Sequence, residues 1–355
     1  MTVRDNFTQR TKNILRDRAG NKCSFPSCKA PTSGASDESN EKIDSTGMAC
    51  HIYAAASGIG AKRYNSNMTA AERKSVKNGI WMCYKHGKQI DNDECRFLPE
   101  ILLKWKEVAE RRAQIENELG RDISDESEYL LSLRLAASNV TISTVWSNEN
   151  ELIGNALRNS CVEAIWGKRL VSYLCGVLIE RARNALTHGG ATSVKLEVDT
   201  SSVRLIDDGD EYSLTQLLEH PSGRGGALSY KYLLEQYGSK VIPISRRFEN
   251  KNEISFGVII SKESIKELTP CTVELKYSAM DEGYEMNVFD TCHEIYVTLP
   301  NYFGLSDMYW LKKIIPNIQS KGKDLVFVMD DIADYVPQYI MQAYPDARII
   351  NLTNL

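Results

Sequence analysis

The spacing of apolar side chains divides this chain into helical and extended stretches. Val194, Leu196 and Val198 alternate with polar neighbours, so 193–198 is predicted as a strand, and 203–206 as a second. Two more extended runs cover 240–245 and 253–260, and the residues at 227–237 have helical spacing. From 149 to 186 the pattern is helical, interrupted near Gly167. Residues 99–119 read as one long helix rich in Lys, Glu and Arg, with Gly120 as its C-cap. Residues 129–137 look helical and 139–146 β-rich, while polar 31–41 reads as a loop and acidic 122–128 as the start of a linker. Near the C-terminus, strands at 294–299, 324–329 and 347–352 alternate with helices at 306–320 and 333–344, which predicts a small α/β layer. Ser306 is the expected N-cap there, and Pro316 is expected to kink the helix or end it early.

These elements predict an α+β, multidomain chain, with a first domain over 1–120 and a linker over 121–149. A second domain follows over 150–268 and a C-terminal α/β unit over 269–355. The 355 residues allow two or three domains, and 42% hydrophobic with 25% charged residues is ordinary for globular proteins. No apolar run approaches the length of a membrane span, and the N-terminus has no apolar signal core, so a cytoplasmic protein without a membrane anchor is expected.

Charge sharpens the division. The net charge is −4, yet residues 1–120 carry 20 Lys plus Arg against 15 Asp plus Glu, and the remainder carries 23 against 32. A basic module on an acidic body suits nucleic-acid contact at the N-terminal end. Arg10, Lys12, Arg16 and Arg18 lie along one predicted helix, with Lys62, Arg63, Arg73, Lys74 and Lys77 further on. Cys95, Cys161, Cys175, Cys271 and Cys292 follow no spacing rule and are expected as free thiols in a reducing compartment.

Three blocks in the second half carry chemistry. In Glu180-Arg-Ala-Arg-Asn184-Ala-Leu-Thr-His188-Gly189, a spacing of four puts Glu180 and Asn184 on one helical face. A carboxylate there can orient water, and an amide oxygen can hold a hard cation such as Mg²⁺. Ile206-Asp207-Asp208-Gly209-Asp210 places a carboxylate at a strand end and a glycine where backbone can approach a ligand. Ser222-Gly223-Arg224-Gly225-Gly226-Ala227-Leu228 is glycine-rich and leads into a helix, a setting suited to phosphate oxygens. In this order the blocks resemble the nucleotide-binding boxes of the GHKL ATPase/kinase superfamily over roughly 150–260. The resemblance implies a Bergerat α/β sandwich that binds ATP and Mg²⁺. By it, Asn184 would hold Mg²⁺, Asp207 would read adenine and Gly209 would line the base. Gly223, Arg224, Gly225 and Gly226 would border the phosphates, and Glu180 would activate water. Arg224, Arg246 and Arg247 are candidates by position for the γ-phosphate, and Glu211 stands where the family usually has a second glycine.

The N-terminal third has its own signature. Cys23-Ser-Phe-Pro-Ser-Cys28 and Cys83-Tyr-Lys-His86 are two close pairs of the kind a tetrahedral zinc site uses. With Ala49-Cys50-His51-Ile52 and Lys77-Asn78-Gly79-Ile80 between them, the region over roughly 8–110 resembles the HNH endonuclease (ββα-metal) family of the zinc-knuckle subtype. By that resemblance His51 would be the general base, Asn78 would brace it, and Cys23, Cys28, Cys83 and His86 would hold Zn²⁺. Active relatives follow the last zinc ligand with a metal-binding histidine, where this chain has Gly87. Many place a carboxylate before the first histidine, where this chain has Cys50.

Three functional readings remain open at this point. The first is an ATP-regulated nuclease or DNA-acting protein, whose layout resembles that of anti-phage defence proteins. The second is a zinc-bearing DNA or partner reader switched by ATP. The third is a GHKL-type serine kinase, since the Glu180–Gly189 block resembles the first box of anti-sigma-factor serine kinases, while the absence of a histidine between His86 and His188 argues against histidine autophosphorylation. DNA would meet the N-terminal domain, and the C-terminal unit would serve homo-oligomerisation or a partner protein.

Overall fold

The computed structural model describes residues 4–124, 126–145, 148–214, 216–217, 225–277, 292, 294–319 and 322–352. It has the expected α+β class. By packing, the chain forms two compact units. One takes residues up to 141 with 146–175 and 196–200, and the other takes 142–145, 176–195 and 201–355. Among the described residues no helix is long and apolar enough to cross a membrane.

The first unit opens on α1 (Gln9–Arg18), capped by Thr8, whose Oγ1 accepts from the Thr11 amide at 3.1 Å. Leu15 on its inner face and Ala19 just after it pack with Phe7 and Trp81. Part of the stretch read as loop forms a hairpin, β1 (Ser33–Ala35) against β2 (Ile43–Ser45). These strands are exposed or half-buried and pair through backbone alone, so they leave no hydrophobic signal. Next, β3 (Gly47–His51) pairs antiparallel with β4 (Gly79–Cys83), His51 lying opposite Gly79. Helix α2 (Ala70–Arg73) sits in their connection, and α3 (Tyr84–Asn92) follows β4 directly. Helix α4 (Pro99–Leu119) keeps its anticipated bounds because its punctuation is local: Pro99 needs no amide partner in the first turn, and Gly120 adopts φ 67° to end it. Its buried face carries Ile101, Leu102, Trp105, Val108, Ala109, Arg112 and Ile115.

Residues 129–137 are not the expected helix. Only a 3-10 turn forms, at Ser127–Leu130. The amides of Leu135 and Ala136 instead donate to the carbonyls of Thr200 (3.0 Å) and Ser160 (3.1 Å), so tertiary partners take the groups a helix would use. Then come β5 (Ser138–Ile142), α5 (Glu149–Asn159), α6 (Val162–Trp166), α7 (Lys168–Thr187) and β6 (Val194–Val198). Gly167 makes the anticipated break at φ 97°.

In the second unit, β9 (Lys251–Val258) lies antiparallel between β7 (Ser202–Asp207) and β8 (Val241–Phe248), with Asp207 opposite Asn252. Glu249 and Asn250, both at positive φ (47° and 61°), make the two-residue turn of that hairpin. Helices α8 (Gly225–Tyr237) and α9 (Lys262–Leu268) flank it in sequence. A parallel sheet follows in the order β10 (Thr272–Glu274), β11 (Glu294–Thr298), β12 (Asp324–Met329) and β13 (Arg348–Asn351). Helices α10 (Met308–Gln319) and α11 (Val336–Ala343) connect its later strands. Tyr296, Val326, Val328 and Ile350 of this sheet share a core with Ile242, Ile259 and Ile265.

Three expectations change here. Pro316 lies inside α10 and does not end it early, since the helix continues to Gln319. The carbonyl deprived of its donor belongs to exposed Lys312, where water can serve it. The turn before α10 is closed by Asp307, whose carboxylate accepts from the Gly304 amide at 2.8 Å, rather than by Ser306. Cys271 and Cys292 are not free thiols but form a disulfide, with Cα atoms 5.8 Å apart. They precede β10 and β11, and parallel pairing brings the starts of adjacent strands together, a proximity that a spacing of 21 does not signal.

Candidate functional site

Four ligand-type side chains converge in the first unit. A tight turn, with the Cys28 amide bonded to the Phe25 carbonyl at 3.0 Å, carries Cys23 and Cys28. The Ser24 amide ties this turn to the Trp81 carbonyl on β4 at 3.0 Å. Cys83 ends β4, and His86 lies in the first turn of α3. The three sulfurs and a ring nitrogen of His86 all lie within 4.8 Å of one another. His86 Nδ1 is 3.1 Å from Cys83 Sγ and 3.6 Å from Cys23 Sγ, and Phe25 stacks on the ring at 4.0 Å. Three thiols and one imidazole in this grouping can hold a metal ion such as zinc. Burial, then Lys85, lowers the His86 pKa and keeps the ring neutral, as a ligand must be.

His51 ends β3, and Asn78 immediately precedes its paired residue Gly79 on β4. The Asn78 side chain is buried and fully bonded: its Oδ1 accepts from the Tyr53 amide (2.8 Å), and its Nδ2 donates to the carbonyls of Tyr53 (2.9 Å) and Arg73 (3.0 Å). It thus fixes the backbone two residues after His51. His51 Nε2 donates to the Asp5 carbonyl at 3.1 Å, and Phe7 stacks on the ring at 3.8 Å. That contact puts the proton on Nε2 and leaves a lone pair on Nδ1. Burial lowers the His51 pKa, which favours the neutral base.

The neighbouring positions hold no second ligand. A Cβ on Gly87 would lie 2.6 Å from Met48 Sδ and 2.9 Å from Cys50 Sγ, so α3 packs on β3 with no room for a side chain. Burial pushes the Cys50 thiol up to about 12, which keeps it protonated.

Most of the basic residues singled out above are already committed. Arg16 pairs with Asp17, Arg18 with Glu110, Lys62 with Glu94, and both Arg73 and Lys74 with Asp5. Arg63 is buried as a clamp on the carbonyls of Ile52 (2.8 Å) and Ile90 (2.6 Å). Arg10, Lys12 and Lys77 are exposed.

In the second unit a cavity of ≈520 Å³ opens along the end of α7. Its lining includes Glu180, Arg181, Asn184, His188, Gly189, Asp210, Glu211 and Tyr212. Glu180 and Asn184 therefore face one space, as their spacing predicts. Among the described residues, no hydrogen-bond partner holds the Glu180 carboxylate or the Asn184 side-chain amide.

Asp207 is placed differently. It does not line the cavity. Its Oδ2 accepts from Arg181 Nη2 at 2.6 Å, and its Oδ1 from Asn252 Nδ2 (2.8 Å) and the Gly209 amide (3.1 Å). The two side chains of the ion pair are 3% and 1% exposed. Arg181 stacks on Tyr212 at 3.9 Å.

The glycines answer to packing. A Cβ on Gly209 would meet the Gly189 carbonyl at 2.5 Å, and one on Gly226 would meet Glu180 Cβ at 2.2 Å. Gly225 faces open space, while Gly223 and Arg224 lie outside the described residues. Arg246 is held by Glu253, and Arg247 by the Gly209 carbonyl and Asn252, so neither is positioned for a phosphate. Arg181, Tyr212 and Asn252 were not foreseen as site residues. The one signal for Arg181 is a charge within the apolar stripe of Leu174, Val177, Leu178, Ala182 and Ala185.

No family model matches the chain, and none of the curated proteins matches it.

Proposed function

We propose that this chain is a nucleotide-responsive, DNA-acting protein of the kind used in bacterial anti-phage defence. In this reading a GHKL-type body binds ATP and an HNH-like, zinc-held module acts on DNA. The observation that carries it is the convergence of Glu180 and Asn184, with Gly189 and Asp210, on one cavity along α7. Asn184 would hold Mg²⁺ through its side-chain oxygen, and Mg²⁺ would supply charge against the phosphates. Glu180 orients water there. For Asp207 to meet an adenine amine, Arg181 has to leave it. In the N-terminal module the three cysteines and His86 hold Zn²⁺, and His51 offers Nδ1 as a neutral base on a backbone braced by Asn78.

A second reading has its own observation. Gly87 packs against Met48 and Cys50, so position 87 supplies no side chain to complete a catalytic metal site. A module that binds DNA or a partner without cutting it, switched by ATP, follows from that packing. One experiment separates the two. Plasmid DNA is incubated with the purified chain and Mg²⁺ or Mn²⁺, with and without ATP, beside His51→Ala and Asn184→Ala. Cleavage lost in His51→Ala supports the nuclease, and its change with ATP, abolished in Asn184→Ala, supports the coupling. ATP binding without cleavage in any lane favours the reader. Absence of ATP binding by the parent chain rejects both.

A further inference from the structure

Arg112 is a buried cation without a matching hydrogen bond. Its side chain lies on the inner face of α4, and the residue is 3% exposed. Nε and Nη2 are both buried, and among the described residues nothing accepts from either. A guanidinium taken out of water in this way needs an anion nearby.

Its surroundings narrow the choice. The same face of α4 runs along the turn that carries two of the cysteines. Trp105 meets Phe25 edge to face at 4.9 Å, and Glu116 takes Lys22 Nζ at 2.9 Å. A Cβ on Gly20 would sit 3.1 Å from Ala113 Cβ. Arg112 is within electrostatic reach of Glu116 and Asp122, and then of Cys23 and Cys28. The two carboxylates accept from other donors, and neither takes Arg112 Nε or Nη2. Lys22 holds both, Glu116 also accepts from the Ile123 amide (3.3 Å) and Asp122 from the Ser124 amide (2.7 Å), and the Asp122 side chain is 61% exposed.

The other anion within reach is the metal cluster, through Cys23 and Cys28. Three thiolates and one neutral imidazole around a divalent cation carry a net charge of −1. We infer that Arg112 is a positioning residue for this metal centre: its buried charge neutralises the cluster and raises its affinity for Zn²⁺. The inference rests on the cluster holding a metal. Outer partners of this kind typically change metal affinity about 10–100-fold.

The test uses the full chain and Zn²⁺ alone, with affinity read by competition against a chromophoric chelator. Arg112→Met should bind Zn²⁺ about 10–100-fold more weakly than the parent. Arg112→Lys, which keeps the charge, should recover most of that loss, and Arg111→Met, at the neighbouring residue, should change nothing. Affinity of Arg112→Met within two-fold of the parent overturns the inference and assigns Arg112 to Glu116 and Asp122. An equal loss in Arg112→Lys also overturns it, because shape rather than charge would then matter. If Arg112→Met does not fold, Arg112→Gln carries the same comparison. A parent chain that binds no Zn²⁺ rejects the metal centre itself, a result distinct from either.

Discussion

Replacing Asp207 by asparagine removes one buried charge at almost constant volume. The amide oxygen of the new side chain could still accept from Asn252 and the Gly209 amide, so the substitution isolates the link to Arg181. With the two side chains 3% and 1% exposed, water cannot replace the lost partner. Breaking a buried pair from one side costs about 3–5 kcal/mol, since the surviving charge stays uncompensated. Arg181→Met should cost less, because Asp207 keeps two N–H donors, at 2.8 and 3.1 Å. The double variant should be less destabilised than the sum of the singles, by at least about 1.5 kcal/mol.

Hydrogen exchange read by mass spectrometry on 202–207 and 251–258 reports the opening of the β7–β9 pair that carries these residues. A loss of about 3 kcal/mol corresponds to exchange roughly 100-fold faster in Asp207→Asn. Exchange within about three-fold of the parent would refute the claim that this pair is dry and essential. The same variants decide what Asp207 does with a nucleotide. If it reads a base amine, Arg181→Met frees it and strengthens ATP binding, while Asp207→Asn weakens binding. If its role is structural, both variants weaken binding in proportion to their loss of stability.

Gly226→Ala should cost about 1–3 kcal/mol, because its Cβ would overlap Glu180 Cβ and Cγ at 2.2 and 2.3 Å, and Cβ is fixed to the helix backbone whatever rotamer the side chain takes. An unchanged urea midpoint would contradict that contact. His51 has a folded pKa below 6.5, so between the two values the unfolded chain binds more protons. Stability from this group is full above pH 6.5 and falls as pH drops toward the folded value; His51→Gln should show a shallower decline in denaturation series run downward from neutral pH. Titration of the unfolded, metal-free chain should count seven thiols before reduction and nine after it, and nine before reduction would disprove the Cys271–Cys292 bond.

What could be read from the sequence was what neighbouring residues decide. Helix α4 was bounded correctly because Pro99 and Gly120 act within a turn of themselves. Strand β6 was visible in its alternation, and its burial alternates residue by residue. Each pair of the metal cluster was visible because its members share a tight turn or a strand–helix junction. Residues 129–137 failed for the opposite reason: their amides bond to Thr200 and Ser160, and no local pattern reports those partners. The hairpin at 33–45 and the disulfide were missed likewise, since each depends on which backbones lie side by side.

The two arginines show where a pattern carries more than was taken from it. Arg181 falls within the apolar stripe of α7, and Arg112 lies seven residues after Trp105 on the buried face of α4. A cation inside such a stripe cannot reach water, so the stripe itself predicts an anion brought there by another element. For Arg181 that anion is Asp207, 26 residues away at the end of a strand. The cost of leaving either arginine unpaired exceeds the gain from any single apolar contact beside it. The search for the partner therefore ranks above the apolar pattern at those two positions, and for Arg112 the anions within reach are Glu116, Asp122, Cys23 and Cys28.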